Sequence, residues 1–286
     1  MSGVLAGRTA LVAGAGRGIG RAIALAYARE GAKLALLARS RDQLEAVAEE
    51  CGGALCLPCD VASWDAVADA VQRLERELGP ADVLASAAGV YGPIGPTAEI
   101  DAQAWAQAID VNLVGAFHLC RAVVPAMENR SWGRVILLAG GGATAPLPFF
   151  SAYAASKAGL VRLAETLAEE LRGTGVTVNA VAPGLVDTQM QDEVLAAGDR
   201  AGPLLEKIRA ARETGAGAVP PEVAAELAVF LASDASAGLT GKLVAAPHDP
   251  WRDWTGDAAD RISAGPWYTI RRLDRHTLEP LLEELG

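Results

Sequence analysis

The sequence predicts an α/β fold, with a doubly wound parallel sheet in a single domain and a C-terminal extension. Short apolar segments alternate with amphipathic helical segments along most of the 286 residues. The apolar segments are hydrophobic at nearly every position, as strands are when helices cover both faces of a parallel sheet. A chain that is 51 % hydrophobic at this length can bury one large core.

The amino terminus carries the first strand–helix–strand unit. We predict a strand at Thr9–Ala13, a glycine turn at Gly14–Gly20, a helix at Arg21–Glu30 and a second strand at Lys33–Ala38. A glycine turn between a strand and a helix lets backbone N–H groups and the helix N-terminus approach a pyrophosphate. The turn therefore predicts a Rossmann-like dinucleotide site, although its spacing is G-x-x-x-G-x-G; a purely structural turn is the alternative.

The end of the second predicted strand bears on which dinucleotide binds. An NAD site usually has an acidic residue there for the ribose 2′-OH, whereas an arginine accommodates the 2′-phosphate of NADP. Here Arg39 and Arg41 follow the strand, Arg17 lies in the glycine turn, and the first carboxylate is Asp42. We predict NADP(H), with NAD(H) as the alternative if these arginines are ordinary surface charges.

Tyr153 and Lys157 are four residues apart in a segment rich in Ala, Leu and Glu, which predicts a helix with both side chains on one face. An ammonium beside a phenol can lower the phenol pKa from about 10 toward neutral pH. Such a phenol can exchange a proton with a carbonyl oxygen. A tyrosine–lysine pair at this spacing is, on its own, more often an ordinary aromatic beside a solvated charge.

Taken in order along the chain, these motifs resemble the short-chain dehydrogenase/reductase family from about residue 7 to 245. The matching pieces are AGAGRGIG, Cys59-Asp60-Val61, Ser86-Ala87-Ala88-Gly89, Val111-Asn112, Tyr153-x-x-x-Lys157, and Val178 to Gly184 with Thr188. The resemblance implies an NAD(P)-dependent oxidoreductase that transfers a hydride between nicotinamide and a carbonyl or secondary alcohol. It also implies a small-molecule substrate and a homo-oligomer, a tetramer or a dimer.

The resemblance assigns roles to individual residues. Tyr153 is implied as the general acid/base, Lys157 as its electrostatic partner and a ribose ligand, and Asn112 as the holder of a relay water. The implied cofactor-binding residues are Gly14, Arg17, Gly18, Ile19, Gly20, Arg39, Asp60, Val61, Ala88, Gly89, Tyr153, Lys157, Pro183, Gly184, Val186 and Thr188.

One departure from the family pattern affects the chemistry. The family's catalytic serine falls thirteen residues before the tyrosine, and Gly140 stands there in this chain. Losing one donor to a developing oxyanion typically costs about 10²–10³ in rate. Thr144, Ser151 or a donor on the substrate could replace the missing hydroxyl, and a catalytically weak nucleotide-binding or regulatory protein is the alternative function.

The resemblance divides the chain into a Rossmann-like part, 1–246, with a substrate lid at about 186–219, and an extension, 247–286. Trp251, Trp254 and Trp267 lie in the extension. We expect the extension to pack on its own or a neighbouring subunit, or the first two tryptophans to roof a substrate pocket. An apolar stripe predicts a terminal helix, with Leu278, Leu281, Leu282 and Leu285 on one face.

Charge and cysteine usage narrow the function classes. A net charge of −10 argues against a nucleic-acid partner bound by a basic surface. Cys51, Cys56 and Cys59 indicate reduced thiols in the cytoplasm rather than a metal site, since no fourth ligand is evident and the three histidines are scattered. We also expect no membrane span and no secretory leader.

Overall fold

The computed structural model describes residues 3–272 and forms a single α/β domain. Within these residues, seven parallel strands form one sheet in the order β3-β2-β1-β4-β5-β6-β7. The strands are β1 (Thr9–Ala13), β2 (Lys33–Ala38), β3 (Leu55–Pro58), β4 (Val83–Ser86), β5 (Gly133–Leu138), β6 (Val176–Ala182) and β7 (Leu243–Ala245). The fold class predicted from the apolar segments is therefore confirmed.

Helices cover both faces of the sheet, and two hydrophobic clusters lie between helices and sheet, one on each side. The helices are α1 (Gly18–Arg29), α2 (Arg41–Glu50), α3 (Trp64–Leu78), α4 (Ala102–Ile109), α5 (Gly115–Asn129), α6 (Ser151–Glu170), α7 (Met190–Ala197), α8 (Pro203–Thr214), α9 (Pro221–Ala232) and α10 (Asp257–Ala264).

The strand order reverses beside β1, whose last residue Ala13 is in register with Leu37 on β2 and with Ser86 on β4. The chain leaves β1 toward one face of the sheet and leaves β4 toward the other, so a crevice opens at the carboxyl ends of these strands. Ligands of doubly wound folds bind at this point.

Most predicted boundaries agree with the structure to within a few residues. β1 and β2 have the predicted limits, whereas α1 begins at Gly18, three residues before the predicted start. Between α4 and α5 the helical run contains a π-helical turn at Asp110–Val114. A π-turn is a one-residue insertion into a helix and is not visible in apolar periodicity.

The helical run Ala102–Asn129 is long and apolar enough to cross a membrane, although we expected no membrane span from the sequence. Half of its most apolar window is buried inside the protein. α5 packs on α3 and on the central strands, and Leu119, Val123 and Met127 belong to the core. Core helices of soluble proteins have this character.

A helical segment leaves the sheet after β6 and returns before α9. Leu185 and Ala218 form a parallel bridge at its base, and the Val219 N–H donates to the Leu185 carbonyl at 2.8 Å. Between these residues α7 and α8 close a third apolar cluster against Tyr91 and Phe150. This segment occupies the range in which we predicted a substrate lid.

The described part of the C-terminal extension packs on its own subunit. Trp251 and Trp254 are 3 % and 5 % exposed and belong to the core cluster beneath α9, with the Trp251 indole N–H donating to the Ala246 carbonyl. They therefore do not roof a pocket. Further along, the Ile270 N–H donates to Glu165 Oε1 at 2.7 Å. The predicted terminal helix with Leu278, Leu281, Leu282 and Leu285 lies outside the described residues.

Candidate active site

The glycine turn after β1 is shaped by close backbone approaches. Gly14 has φ +75°, and a Cβ there would lie 2.6 Å from the Ala88 amide nitrogen. A Cβ on Gly20 would collide with the Gly14 carbonyl oxygen. These two glycines are required because they let β1, α1 and the loop after β4 meet without side chains between them.

A cleft of about 420 Å³ opens beside this turn. Its lining includes eleven of the predicted cofactor-binding residues: Gly14, Arg17, Gly18, Ile19, Gly20, Arg39, Asp60, Val61, Ala88, Gly89 and Thr188. The structure therefore brings together residues from the ends of β1, β2, β3 and β4 and from the segment predicted as a lid. A cleft of this kind at the reversal of strand order is suited to an extended dinucleotide.

One end of the cleft is suited to phosphate. No side chain caps the N-terminus of α1, so the N–H groups of its first turn have no side-chain acceptor. Thr188 lies against Gly18, with its Cγ2 3.2 Å from where a Gly18 Cβ would be. The Arg17 guanidinium donates to Gln189 Oε1 at 2.8 Å, which joins the glycine turn to the segment predicted as a lid.

The other end of the cleft is polar and exposed. Arg39 and Ser40 line it directly after β2, and the Ser40 hydroxyl caps α2 by accepting from the Gln43 N–H. Asp60 lines the cleft beyond β3, and its Oδ1 accepts from the Ala62 N–H at 3.0 Å. Arg41, in contrast, points along α2, where it pairs with Glu45 at 3.6 Å.

Asn112 lies in the π-turn and is almost fully buried. Its Nδ2 donates to the Val90 carbonyl at 2.8 Å and to the Ser156 hydroxyl at 2.9 Å, and its Oδ1 accepts from the Val90 N–H at 2.8 Å. The side chain thus joins the loop after β4 to α6. Both of its donor hydrogens are used by protein groups, so its predicted role as holder of a relay water rests on the remaining lone pair of Oδ1.

Lys157 is buried on α6, one turn after Tyr153. Its ammonium donates to the Leu138 carbonyl at 2.7 Å, and its Nζ lies 5.6 Å from the centroid of the Tyr153 ring. A Cβ on Gly89 would be 3.5 Å from the same Nζ, so the ammonium is next to a glycine of the cleft. Burial lowers the pKa of Lys157 to about 8.

Tyr153 is half-buried at the start of α6. Burial raises the pKa of its phenol above the ordinary value of 10, and the neighbouring Tyr91 raises it further. In the protein alone the prediction that Lys157 lowers the pKa of Tyr153 is therefore wrong. The cost of removing a phenolate from water exceeds the attraction of an ammonium that is itself desolvated and engaged by Leu138.

Gly140 lies directly beside the Tyr153 hydroxyl. It has φ +154°, and a Cβ there would be 2.5 Å from Tyr153 Oη. Of the two hydroxyl residues that could have replaced a serine, Thr144 is exposed on the glycine loop. The Ser151 hydroxyl accepts from the Trp105 indole at 3.1 Å. Neither is directed at the tyrosine by an observed contact.

Five of the residues implied to bind cofactor do not line the cleft. Tyr153 and Lys157 lie deeper, behind Gly89, while the other three follow β6: Pro183, Gly184 and Val186. A Cβ on Gly184 would be 2.8 Å from Val219 and 3.2 Å from Pro247, so the extension begins next to this loop.

Tyr91 and Gln191 lie next to the site but were not among the residues predicted from the sequence. Tyr91 is 5 % exposed, and its ring centroid lies 4.9 Å from that of Tyr153. Its hydroxyl donates at 3.0 Å to Gln191 on α7, a residue 100 positions away in the chain. The position of Tyr91, two residues after Gly89, could have indicated a site residue. Nothing in the neighbouring sequence indicated that Gln191 is its hydrogen-bond partner.

Comparison with known proteins agrees with this arrangement. The short chain dehydrogenase family model matches residues 8–198. The chain belongs to the short-chain dehydrogenase/reductase family. D-threitol dehydrogenase of Mycolicibacterium smegmatis is 39 % identical over 243 residues, which cover 83 % of this chain and 90 % of that protein.

Two solved structures of the family are also similar. NAD⁺-bound xylitol dehydrogenase matches with a TM-score of 0.79 at 29 % identity, over 84 % of this chain and 98 % of the other. A variant of actinorhodin polyketide ketoreductase with NADPH matches with a TM-score of 0.78 at 31 % identity, over 86 % and 97 %. This short-chain dehydrogenase/reductase is therefore an NAD(P)-dependent enzyme.

Proposed function

We propose that the enzyme is an NADP(H)-preferring carbonyl reductase or secondary-alcohol dehydrogenase in which Tyr153 handles the proton. The observation that carries this proposal is the position of the phenol. Tyr153 lies between the buried ammonium of Lys157 and the bare backbone of Gly140, beside the Gly89 wall of the cleft. A substrate oxygen can reach the phenol there because no side chain on residue 140 stands in between.

Bound NADP(H) would supply or accept the hydride at the substrate carbon. The protein's own contribution is the proton. Because burial keeps the Tyr153 phenol protonated at neutral pH, it is prepared to donate to a carbonyl oxygen as that oxygen becomes an alkoxide. Lys157 stabilises the phenolate that remains, while Asn112 maintains the spacing between α6 and the loop after β4.

The preference for NADP(H) rests on the ends of the cleft. Arg39 and Ser40 line it where a 2′-phosphate would lie, and no carboxylate follows β2 until Asp42. Arg17 adds a second positive charge on the glycine turn. A guanidinium binds phosphate through parallel hydrogen bonds, which supports NADP(H) over NAD(H). The similar solved structures include one with NAD⁺ and one with NADPH.

The proposed substrate is a small molecule with a ketone or a secondary alcohol. The names of similar proteins span polyols and a polyketide, so they support the reaction without selecting a compound. We further propose a cytoplasmic homo-oligomer, a dimer or a tetramer, on the family resemblance and the four free cysteines. Sedimentation of the purified enzyme tests the assembly.

A catalytically weak nucleotide-binding or regulatory protein is the second candidate function. One observation favours it: Gly140 provides no hydroxyl for the substrate oxygen, so one family donor is missing. The retention of Asn112, Tyr153 and Lys157 in one connected group favours the enzyme instead, because a nucleotide-binding module has no need of the phenol.

The deciding experiment compares Tyr153→Phe with the wild type in cofactor binding and in turnover of a ketone panel. We expect unchanged NADPH affinity within about threefold and a loss of turnover of about 10²–10⁴. Tyr268→Phe, in the extension, is the matched control, since its ring packs on Trp254 and does not line the cleft. Full turnover in Tyr153→Phe would overturn the proposal, and tight NADPH binding without turnover in the wild type would favour the regulatory function.

A further inference from the structure

Tyr91 is a direct aromatic neighbour of Tyr153. It follows the Gly89 turn on the loop after β4, and its ring packs at 4.9 Å on Tyr153 and at 5.1 Å on Phe150. Both neighbours and the lid residues Met190 and Leu205 belong to one apolar cluster. Tyr91 therefore brings a polar hydroxyl into surroundings that are otherwise apolar.

The lid determines the direction of the Tyr91 hydrogen bond. Gln191 is buried, and one end of its amide is 3.2 Å from the Val186 carbonyl oxygen. A carbonyl oxygen can only accept, so the Gln191 Nε2 must face it and donate. The Oε1 of the same amide then faces the Tyr91 hydroxyl at 3.0 Å and can only accept from it.

The Tyr91 hydroxyl can therefore only accept a hydrogen bond from any further group, such as a ligand. Its single proton is held by Gln191, and only the lone pairs of its oxygen remain. Burial raises the pKa of Tyr91 to about 12, so the group stays neutral at physiological pH. A buried acceptor of this kind is best satisfied by a hydroxyl or an N–H group on a ligand.

Gly140 lacks the hydroxyl that would donate a second hydrogen bond to a substrate. A plain ketone in front of Tyr153 finds the tyrosine as a side-chain donor but no second hydroxyl at position 140. A hydroxyl on the carbon next to the reacting one can donate its single proton to the Tyr91 oxygen, and so gives the substrate a second hydrogen bond that residue 140 does not provide. The two features thus favour the same kind of substrate.

We propose that Tyr91, oriented by Gln191, is a specificity-determining residue that selects substrates with a hydroxyl on the carbon next to the reacting one. The substrate class is therefore vicinal diols in the oxidative direction and α-hydroxy ketones in the reductive direction. The inference rests on the proposed reaction at Tyr153 and specifies its substrate. The apolar side chains of the cluster receive the rest of the molecule.

The test uses two ketones of nearly equal shape, 1-hydroxy-2-butanone and 3-pentanone, which differ by a hydroxyl in place of a methyl group. Affinity is measured by calorimetry on enzyme saturated with NADP⁺, and turnover is measured with NADPH. We expect the wild type to favour the hydroxy ketone about five- to tenfold in affinity and in kcat/KM. Tyr91→Phe should abolish the preference, through a KM for the hydroxy ketone that rises more than the KM for 3-pentanone.

Two further variants separate recognition from packing. Tyr27→Phe removes another buried phenol, which donates to the Ala228 carbonyl in the core, and it should keep the preference. Gln191→Met releases the Tyr91 proton, so the phenol can donate to a plain ketone and the preference should narrow through a gain on 3-pentanone.

Equal affinity of the wild type for both ketones, or a preference that survives in Tyr91→Phe, would overturn the inference. An equal loss on both ketones in Tyr91→Phe would also overturn it, because Tyr91 would then act on Tyr153 rather than on the substrate hydroxyl. Absence of turnover with either ketone would count against the proposed reaction, while the calorimetric preference would still decide the role of Tyr91.

Discussion

A Cβ atom on residue 140 would lie only 2.5 Å from the hydroxyl oxygen of Tyr153. The tyrosine occupies space that a side chain at this position would need, and the glycine has a φ of +154° that other residues rarely adopt. The glycine is thus built into the geometry of the site, rather than being a serine position that has merely lost its hydroxyl.

Restoring the serine should therefore fail. We expect Gly140→Ser to lower turnover about 100-fold, because displacing the phenol by a fraction of an ångström or more disrupts its alignment with the substrate. Gly141→Ala is the matched control, since no atom lies within 4 Å of its added Cβ. A Gly140→Ser enzyme that is faster than the wild type would contradict this account.

The amide of Asn112 should contribute to stability as well as to the site. Asn112→Ala leaves the Val90 N–H and carbonyl without a side-chain partner and removes the donor to the Ser156 hydroxyl, at an expected cost of about 2–3 kcal/mol in the free energy of unfolding. Ser156→Ala removes only one of these bonds and should cost about 1 kcal/mol. Denaturation by urea measures the unfolding free energy of both variants. Equal losses would count against the role of Asn112 in joining the loop after β4 to α6.

Arg39 should decide between the two dinucleotides. Arg39→Ala is expected to weaken NADPH binding about tenfold while NADH binding changes little, because only NADPH carries the 2′-phosphate. Arg41→Ala is the control, since Arg41 pairs with Glu45 along α2. Fluorescence titration with each reduced cofactor measures the change, and parallel changes for both cofactors would refute the assignment.

Trp251 should matter for folding and not for substrate binding. It is 3 % exposed, packs on Phe230 and donates to the Ala246 carbonyl, so Trp251→Ala should cost about 3–5 kcal/mol. Trp64→Ala, a partly exposed tryptophan under Arg121, should cost much less. A changed KM in Trp251→Ala without a loss of stability would restore the idea of a tryptophan roof over the substrate.

Lys242 should make the docking of the extension depend on pH. Its buried ammonium donates to the carbonyls of Gly265 and Trp267, and desolvation lowers its pKa to about 8 from an ordinary 10.5. Between these pH values the unfolded chain binds more protons than the folded one, so this group makes stability rise with pH.

The effect is measured as the difference in unfolding free energy between wild type and Lys242→Met, which should increase from pH 8 to 10.5 in favour of the wild type. Lys33→Met, at an exposed lysine on β2, is the control for general changes of charge. A difference that stays constant over this range would show that the Lys242 ammonium is not desolvated.

Several features were predictable from the sequence because they depend on neighbours in the chain. Apolar runs located β1 and β2, and the glycines of the first turn indicated a dinucleotide cleft. The tyrosine–lysine spacing placed Tyr153 and Lys157 on one helix, and the order of motifs identified the family.

Other features exist only in the folded chain because their partners are distant in sequence. Burial reversed the expected direction of the Tyr153 pKa shift, and Gln191 reached Tyr91 across 100 residues. Trp251 belongs to the core, which is one of the two outcomes that the sequence left open. Desolvation and hydrogen-bond direction depend on what surrounds a side chain in three dimensions. The sequence by itself therefore determined the fold and the reaction class, and the tertiary structure decided the surroundings of Tyr153 and the partners of Tyr91.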